Sequence, residues 1–176
     1  MNETFAMPLE AAEDAADAFE ALYRSSRDDV YAYVATLLRD RSAAEDVTAT
    51  AFERAYRKRR FFSPRRGTQR AWLFGIARNA ALDELRRRRR QTELTADPEA
   101  SVDPPVDEVE HSLRRTAVRS ALAQLEPRER ELIALKFHGG LSNAEIARVL
   151  GTSETNAGTL LHRAVTKLRK ACYATA

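Results

Sequence analysis

The sequence predicts an all-helical protein built as two small domains. Three observations carry this. Ala, Leu, Glu and Arg dominate a 176-residue chain of 44% apolar and 31% charged residues, a composition that favours helix. The apolar residues recur at spacings of three and four, the period of an amphipathic helix. The segment Gln91 to His111 breaks the pattern with Pro98, Pro104 and Pro105 and carries no helical apolar stripe, so it reads as a flexible or partly extended linker. The domains are then residues 18–90 and 112–172, with an acidic tail over residues 1–17 and a short tail over residues 173–176.

Taken in order, Phe19, Leu22, Tyr23, Val30, Val34, Leu37 and Leu38 form the stripe of a first helix. Ser42 with Glu45 reads as a capping box that opens a second helix carrying Val47, Ala51, Phe52 and Ala55. A loop over Phe61 to Thr68 holds Pro64 and Gly67. A third helix, marked by Leu73, Ile76, Ala77, Ala80 and Leu85, runs into five consecutive arginines, Arg86 to Arg90, which suit a helix C-terminus because they oppose the helix dipole.

In the second half, Leu113, Ala117, Ala121 and Leu125 predict a helix that ends near Glu126, because Pro127 belongs at the first position of the next. That next helix carries Leu132, Ile133 and Phe137 and stops at Gly139 and Gly140. Ser142 and Glu145 form a second capping box before Ile146, Ala147 and Leu150. Gly151 ends that short helix, Ser153 caps the last, and Ala157, Leu161, Ala164, Val165 and Leu168 face inward along it to about Ala171.

The charge is strongly segregated. Residues 1–53 hold 4 basic and 12 acidic side chains, residues 54–90 hold 14 basic and 2 acidic, residues 91–111 hold no base and 7 acids, and residues 112–176 hold 11 basic and 5 acidic. Two basic blocks separated by an acidic spacer suggest two anionic contacts, and nucleic acid is the commonest partner of that kind.

No stretch has the roughly 18 to 20 uncharged apolar residues of a membrane span, and the acidic start does not resemble a signal peptide, so a cytoplasmic location is expected without membrane insertion. The single cysteine, Cys172, has no partner for an internal disulfide. His111, His138 and His162 lie apart, and no glycine-rich phosphate loop follows a strand. Neither a catalytic constellation nor a metal or other cofactor is expected.

Two constellations remain. Leu141 to Arg163 has the grammar of a helix-turn-helix: small Ala147 for close helix approach, Gly151 for the turn, then a longer helix leading to Arg163, Lys167, Arg169 and Lys170. The competing reading is a helical hairpin that only packs a core. The first basic block interleaves Tyr56, Phe61, Phe62, Trp72 and Phe74 with Arg57, Lys58, Arg59, Arg60, Arg65, Arg66, Arg70 and Arg78, the residue types that stack on unpaired bases and hold phosphates. A small core with Trp72 and Phe74 inside and the arginines solvated fits that pattern equally.

At this point the residues carry a resemblance over most of the chain. Ala44-Glu45-Asp46-Val47, Phe52-Glu53-Arg54-Ala55-Tyr56 and Arg70-Ala71-Trp72-Leu73-Phe74-Gly75-Ile76-Ala77-Arg78-Asn79, followed by the arginine run, resemble domain two of extracytoplasmic function (ECF) RNA polymerase sigma factors. Leu122 to Glu131, Leu141-Ser142-Asn143-Ala144-Glu145-Ile146-Ala147 and Leu161-His162-Arg163-Ala164 resemble domain four of the same group.

The resemblance implies a promoter-directing protein that works with core RNA polymerase. Asp46, Thr50, Phe52 and Tyr56 would meet the clamp helices of the largest polymerase subunit. Phe62, Arg65, Arg66, Arg70, Trp72, Asn79, Arg86 and Arg87 would hold the melted promoter element near the start site. Ser153, Thr155, Asn156, Thr159, Arg163 and Lys167 would meet the distal element in duplex form. An anti-sigma factor, often membrane-bound in this group, is a further expected partner. The chain departs from the family at Thr50, where an acid is usual, and at Gly158 and Leu160, where a Lys and an Arg are usual. A helix-turn-helix regulator that binds duplex DNA alone is the alternative.

Overall fold

The structure, a computed structural model, describes residues 9–95 and 118–174. These residues form α-helices and two short 3-10 turns, with no strand among them. The helices are α1 (Leu9–Leu38), α2 (Arg41–Lys58), α3 (Gln69–Thr95), α4 (described over residues 118–123), α5 (Pro127–Phe137), α6 (Asn143–Leu150) and α7 (Glu154–Ala174).

Two boundaries differ from the sequence-based expectation at the outer ends of the first domain. Helix α1 reaches back to Leu9, into the expected tail, because Ala11, Ala12, Ala15 and Ala16 are strong helix formers. Helix α3 continues five residues beyond Arg90 to Thr95 before the described residues stop. The remainder of the expected linker, residues 96–111, lies outside the described residues, as do Leu113 and Ala117.

The cap of α2 is a correction. Asp40, not Ser42, occupies the N-cap: its carboxylate accepts from the Ala43 N–H at 3.0 Å. The cause lies in the preceding residue. Arg39 adopts a left-handed φ of 54°, which ends α1 abruptly and brings the extended Asp40 directly before the first turn. Ser42 is thereby inside the helix, and Glu45 faces Arg41 instead.

The second domain follows its expected punctuation except at its end, where α7 runs past Ala171 to Ala174, into the expected tail. Pro127 opens α5, and the Glu126 N–H donates to the Glu129 side chain at 2.9 Å. At α6 both halves of the capping box form, with the Glu145 N–H donating to Ser142 Oγ at 3.3 Å and the Ser142 N–H to Glu145 Oε2 at 2.8 Å. Gly151 closes α6 with a φ of 67°, a backbone state costly for any residue with a Cβ. The Asn156 N–H then donates to Ser153 Oγ at 3.2 Å, opening α7.

Helices α1, α2 and α3 pack on one another, as do α5, α6 and α7, and α1 further contacts α5 while α3 contacts α6. One hydrophobic cluster therefore runs through both halves, joining Val30, Tyr33, Val34, Leu73 and Phe74 to Leu132, Leu135, Leu141 and Ile146. Full burial of each such side chain contributes roughly 1.5 to 3 kcal/mol, so the contact between halves is a substantial apolar interface. A smaller cluster of Leu125, Ile133 and Ala164 anchors α4 and α5 to α7.

Candidate nucleic-acid interface

Helix α3 divides the aromatic residues that sequence pattern could not. Phe74 is fully buried against Tyr33, with ring centroids 5.4 Å apart, and belongs to the core. Trp72 points the other way and packs on Phe62 at 5.5 Å, with the two rings tilted by 54°. Both remain partly open to solvent, beside a Phe61 that is 80% exposed.

Phe62 is held there by two 3-10 turns, Arg59–Phe61 and Pro64–Arg66, which fold the loop back onto α3. Arg65 and Arg66 are exposed on the second turn. The result is a crevice of about 390 Å³ lined by Lys58, Phe62, Trp72, Asn79 and, from the second domain, Arg148 and Val149. Aromatic faces beside cations suit unpaired bases joined by phosphates.

Positions seven apart on a straight helix return to within about 20° of one another, so Trp72, Asn79 and Arg86 share one stripe of α3. Arg87 is turned about 100° from that stripe. Its guanidinium also makes a two-pronged pair with Glu84, with both N–H···O distances 2.8 Å. Arg88 adds a third bond to Glu84 at 2.8 Å and reaches Asp40 at 2.8 Å. The Arg87 hydrogen bonds, outweighing partial burial, hold the Glu84 carboxyl at about 2. Among the described residues the contact of Arg86 is an exposed one of 3.3 Å with Asp83, a carboxylate already shared with Arg54. The five-arginine run is thus part internal ion pair and part open cation.

Arg70 is committed elsewhere. Its Nε donates to the Gly139 carbonyl at 2.5 Å, Nη2 to Asp29 at 2.5 Å and to the His138 carbonyl at 3.1 Å, and Nη1 to Ser26 Oγ at 3.2 Å. In this arrangement it joins the two halves and is not an open phosphate contact. Arg78 does the same, donating to Glu131 Oε1 at 2.7 Å, and the Tyr33 hydroxyl donates to that same oxygen at 3.2 Å. Burial, reinforced by the Glu131 charge, pushes the Tyr33 phenol well above its usual range, so it stays a donor.

Tyr33 and Glu131 are the residues that sequence reasoning missed. A Tyr one position from Val34 in the α1 stripe, and a Glu among Leu132, Ile133 and Leu135, were the available signals. Neither identifies a partner across 98 residues.

The second face is the helix-turn-helix. Ala147 and Ala157 are 4% and 1% exposed, and they let α6 and α7 approach closely. Thr155, Asn156, Thr159, His162 and Arg163 lie outward on α7. Ser153 serves as the cap, and Asn156 Nδ2 donates to Thr152 Oγ1 at 2.7 Å, which fixes its rotamer on the turn. The Thr159 hydroxyl donates to the Thr155 carbonyl at 3.0 Å. Lys167 pairs with Glu129 at 2.8 Å, and that hydrogen bond lowers the Glu129 carboxyl. Gly158 faces Asn143: a Cβ there would stand 3.3 Å from its Nδ2, so a larger residue requires that amide to move slightly.

The third set lies on α1 and α2. Asp46 is exposed, and the Thr50 hydroxyl donates to the Asp46 carbonyl at 2.9 Å. Tyr56 is 44% exposed, with the Arg59 guanidinium 3.8 Å above its ring. Phe52 differs, being only 5% exposed against Tyr23 at 4.8 Å and Phe19 at 6.5 Å. It ties α1 to α2 and shapes the face from beneath.

Among the described residues no group of three or more His, Cys, Asp or Glu side chains could hold a metal ion, and no described helix is long and apolar enough to cross a membrane.

The family model for Sigma-70 region 2 matches residues 22–91, and that for Sigma-70, region 4 matches residues 115–168. The chain is 37% identical over 159 residues to the ECF RNA polymerase sigma factor BldN of Streptomyces coelicolor, covering 88% of this chain and 60% of the length of BldN. It is 35% identical over 154 residues to the ECF RNA polymerase sigma factor SigL of Mycobacterium tuberculosis strain H37Rv, covering 85% of each. Among solved structures, CnrH in complex with the cytosolic domain of CnrY is similar at a TM-score of 0.68 and 26% identity, over 94% of this chain and 96% of that one. The fold also matches that of RpoE from Bartonella quintana, solved with the anti-sigma factor NepR, at a TM-score of 0.71 and 22% identity over 88% of this chain and 96% of that one. With both region models in order and relatives of this identity and coverage, the chain belongs to the ECF family of RNA polymerase sigma factors.

Proposed function

We propose that this chain binds core RNA polymerase in the cytoplasm and directs it to promoters by recognising two DNA elements, one melted and one duplex. The observation that carries this reading is the presence of two different DNA-binding chemistries in one family framework. A loop-and-helix crevice offers the stacked rings of Phe62 and Trp72 beside cations, which suits unpaired bases. A helix-turn-helix offers the outward face of α7 to a major groove. A regulator that binds duplex DNA alone has use for the second and none for the first. The work is recognition, not catalysis.

Under this reading Asp46, Thr50 and Tyr56 form the polymerase-facing surface, with Phe52 beneath it. Phe62, Arg65, Arg66, Trp72, Asn79 and Arg86 hold the melted strand, and Thr155, Asn156, Thr159 and Arg163 face the duplex. Residues 18–90 and 112–172 act as the two functional domains. An anti-sigma protein restrains the factor, as membership of the ECF group implies, and CnrH, similar at 26% identity, was solved in complex with the cytosolic domain of CnrY.

The test is reconstituted transcription. Mixed with core polymerase and a premelted promoter template, the chain should yield run-off transcript that core alone does not. Absence of transcript, with specific footprinting by the free chain, would favour the lone regulator.

A further inference from the structure

The cations at the end of α2 differ in what they face. Arg57 pairs with Glu53 one turn back, and Lys58 lines the crevice of Phe62 and Trp72. Arg59, the next residue, does neither. It is the C-cap of α2, and its side chain turns back over that helix. The guanidinium carbon lies 3.8 Å from the centre of the Tyr56 ring, and Nη1 donates to the Tyr56 carbonyl at 2.7 Å. Its Nε is buried and meets no acceptor among the described residues.

A guanidinium drawn by hydrogen bonding alone would turn Nε to an acceptor or to water. One that leaves Nε unmet while it stacks on a ring is held by the ring, whose electron-rich face attracts a cation. Phe19 of α1 meets the same ring edge-on, with centroids 5.2 Å apart and planes at 71°. Tyr56 nevertheless stays 44% exposed, so its ring is presented to solvent and held in one orientation at the same time. An aromatic side chain fixed before docking gives up little freedom when it docks, which favours binding.

We propose that Arg59 is a positioning residue for polymerase docking and not a phosphate contact: stacked on Tyr56 and bonded to its carbonyl, it fixes the ring in the orientation that the core enzyme meets. This rests on the assignment of Tyr56 to the polymerase-facing surface. The backbone at Arg59 suits the task. Its N–H closes α2 on the Tyr56 carbonyl, and its own carbonyl accepts from the Phe62 N–H at 3.3 Å. The chain thus turns away toward the crevice while the guanidinium stays behind on α2.

Equilibrium binding of the fluorescently labelled full chain to core polymerase tests it. Arg59→Ala should weaken binding about two- to fivefold, the equivalent of an exposed cation–π contact, and Arg59→Lys should recover part of the loss. In a Tyr56→Leu chain, itself a weaker binder, Arg59→Ala should change nothing further, because the two residues act through one contact. A defect in the helix end would weaken both chains alike. Should Arg59→Ala fail to fold, Arg59→Gln takes its place in the same comparison, since it keeps a donor for the Tyr56 carbonyl and removes the charge.

Open-complex formation by holoenzyme, assembled at saturating factor, separates positioning from phosphate contact. The salt dependence of Arg59→Ala should match that of the wild type, whereas a lost phosphate contact would flatten its slope by about 0.7. Unchanged core affinity in Arg59→Ala, an equal loss in the Tyr56→Leu chain, or a flattened slope overturns the proposal. A wild-type chain that does not bind core polymerase refutes the sigma reading and this inference together. Wild-type binding with Arg59→Ala unchanged refutes the inference alone.

Discussion

Arg86 and Arg87 are neighbours in sequence, and the structure predicts that only one of them counts toward promoter binding. Arg86 shares a stripe with Trp72 and Asn79 and, among the described residues, makes an exposed 3.3 Å contact to Asp83. Arg87 is turned about 100° away and is engaged twice by Glu84. For single-stranded DNA each phosphate contact changes the slope of log K against log salt by about 0.7. At ~0.1 M salt that corresponds to about 1 kcal/mol, or roughly a fivefold loss of affinity. Arg86→Ala should therefore reduce open-complex affinity about fivefold on every promoter and flatten the salt dependence by about 0.7. Arg87→Ala should leave the slope nearly unchanged, since the charge removed was already opposed by Glu84. The assay is open-complex formation by holoenzyme, followed across a series of potassium chloride concentrations. Equal slopes for the two variants, or a larger effect at Arg87, would refute the geometric argument.

Glu84→Gln should destabilise the fold by about 1 to 2 kcal/mol at pH 7, a figure reduced for the exposure of Arg87. Because the folded carboxyl sits near 2 against an ordinary 4.5, its contribution is full above about 4.5 and fades as pH falls toward 2. Denaturant unfolding of wild type and variant should accordingly converge over that window, and a constant difference down to pH 2 would contradict the pairing. On α7, Asn156→Ala should cost about 1 to 3 kcal/mol at one base position of the duplex element, because the Thr152 hydroxyl uses one amide hydrogen and leaves Oδ1 and the other N–H for an adenine. Gly158→Lys should instead tighten binding to many sequences at once, by adding a phosphate partner and removing a helix-weakening glycine. Competition binding against a library of single-base variants separates the two, and uniform weakening in Asn156→Ala would mean that α7 lies differently on DNA.

The local punctuation of the second domain was legible because its signals act over three or four residues. Ser142 with Glu145, Gly151 and Ser153 need only their own backbone to form their bonds. The same logic failed at α2, where an equally good Ser42–Glu45 pair lost to Asp40. The deciding fact was the left-handed turn at Arg39, a residue with no special preference for it. The split between Phe74 and Trp72 was hidden for another reason. The two are two positions apart on α3, about 200° around the helix, so they face opposite ways, yet residue type alone makes both candidates for either role. Arg70 and Arg78 were invisible as structural residues because their acceptors lie 41 to 69 positions away.

That last point bears on how net charge should be read in a chain of this kind. The basic block of residues 54–90 presents its 14 cations as one electrostatic feature, but packing sets seven of them to three different tasks. Arg70 and Arg78 are drawn into the domain contact, where nearby carboxylates and carbonyls answer them. Arg87 and Arg88 neutralise Glu84 and Asp40 and secure the end of α3 to the start of α2. Arg65, Arg66 and Arg86 remain on the side of the Phe62–Trp72 crevice with their charge still open to solvent. The strength of a promoter contact then depends on which arginines are free. Neither Arg70 nor Arg78 lines the Phe62–Trp72 crevice: on α3 they stand about 200° and 120° around from Trp72, so both serve the contact between the halves.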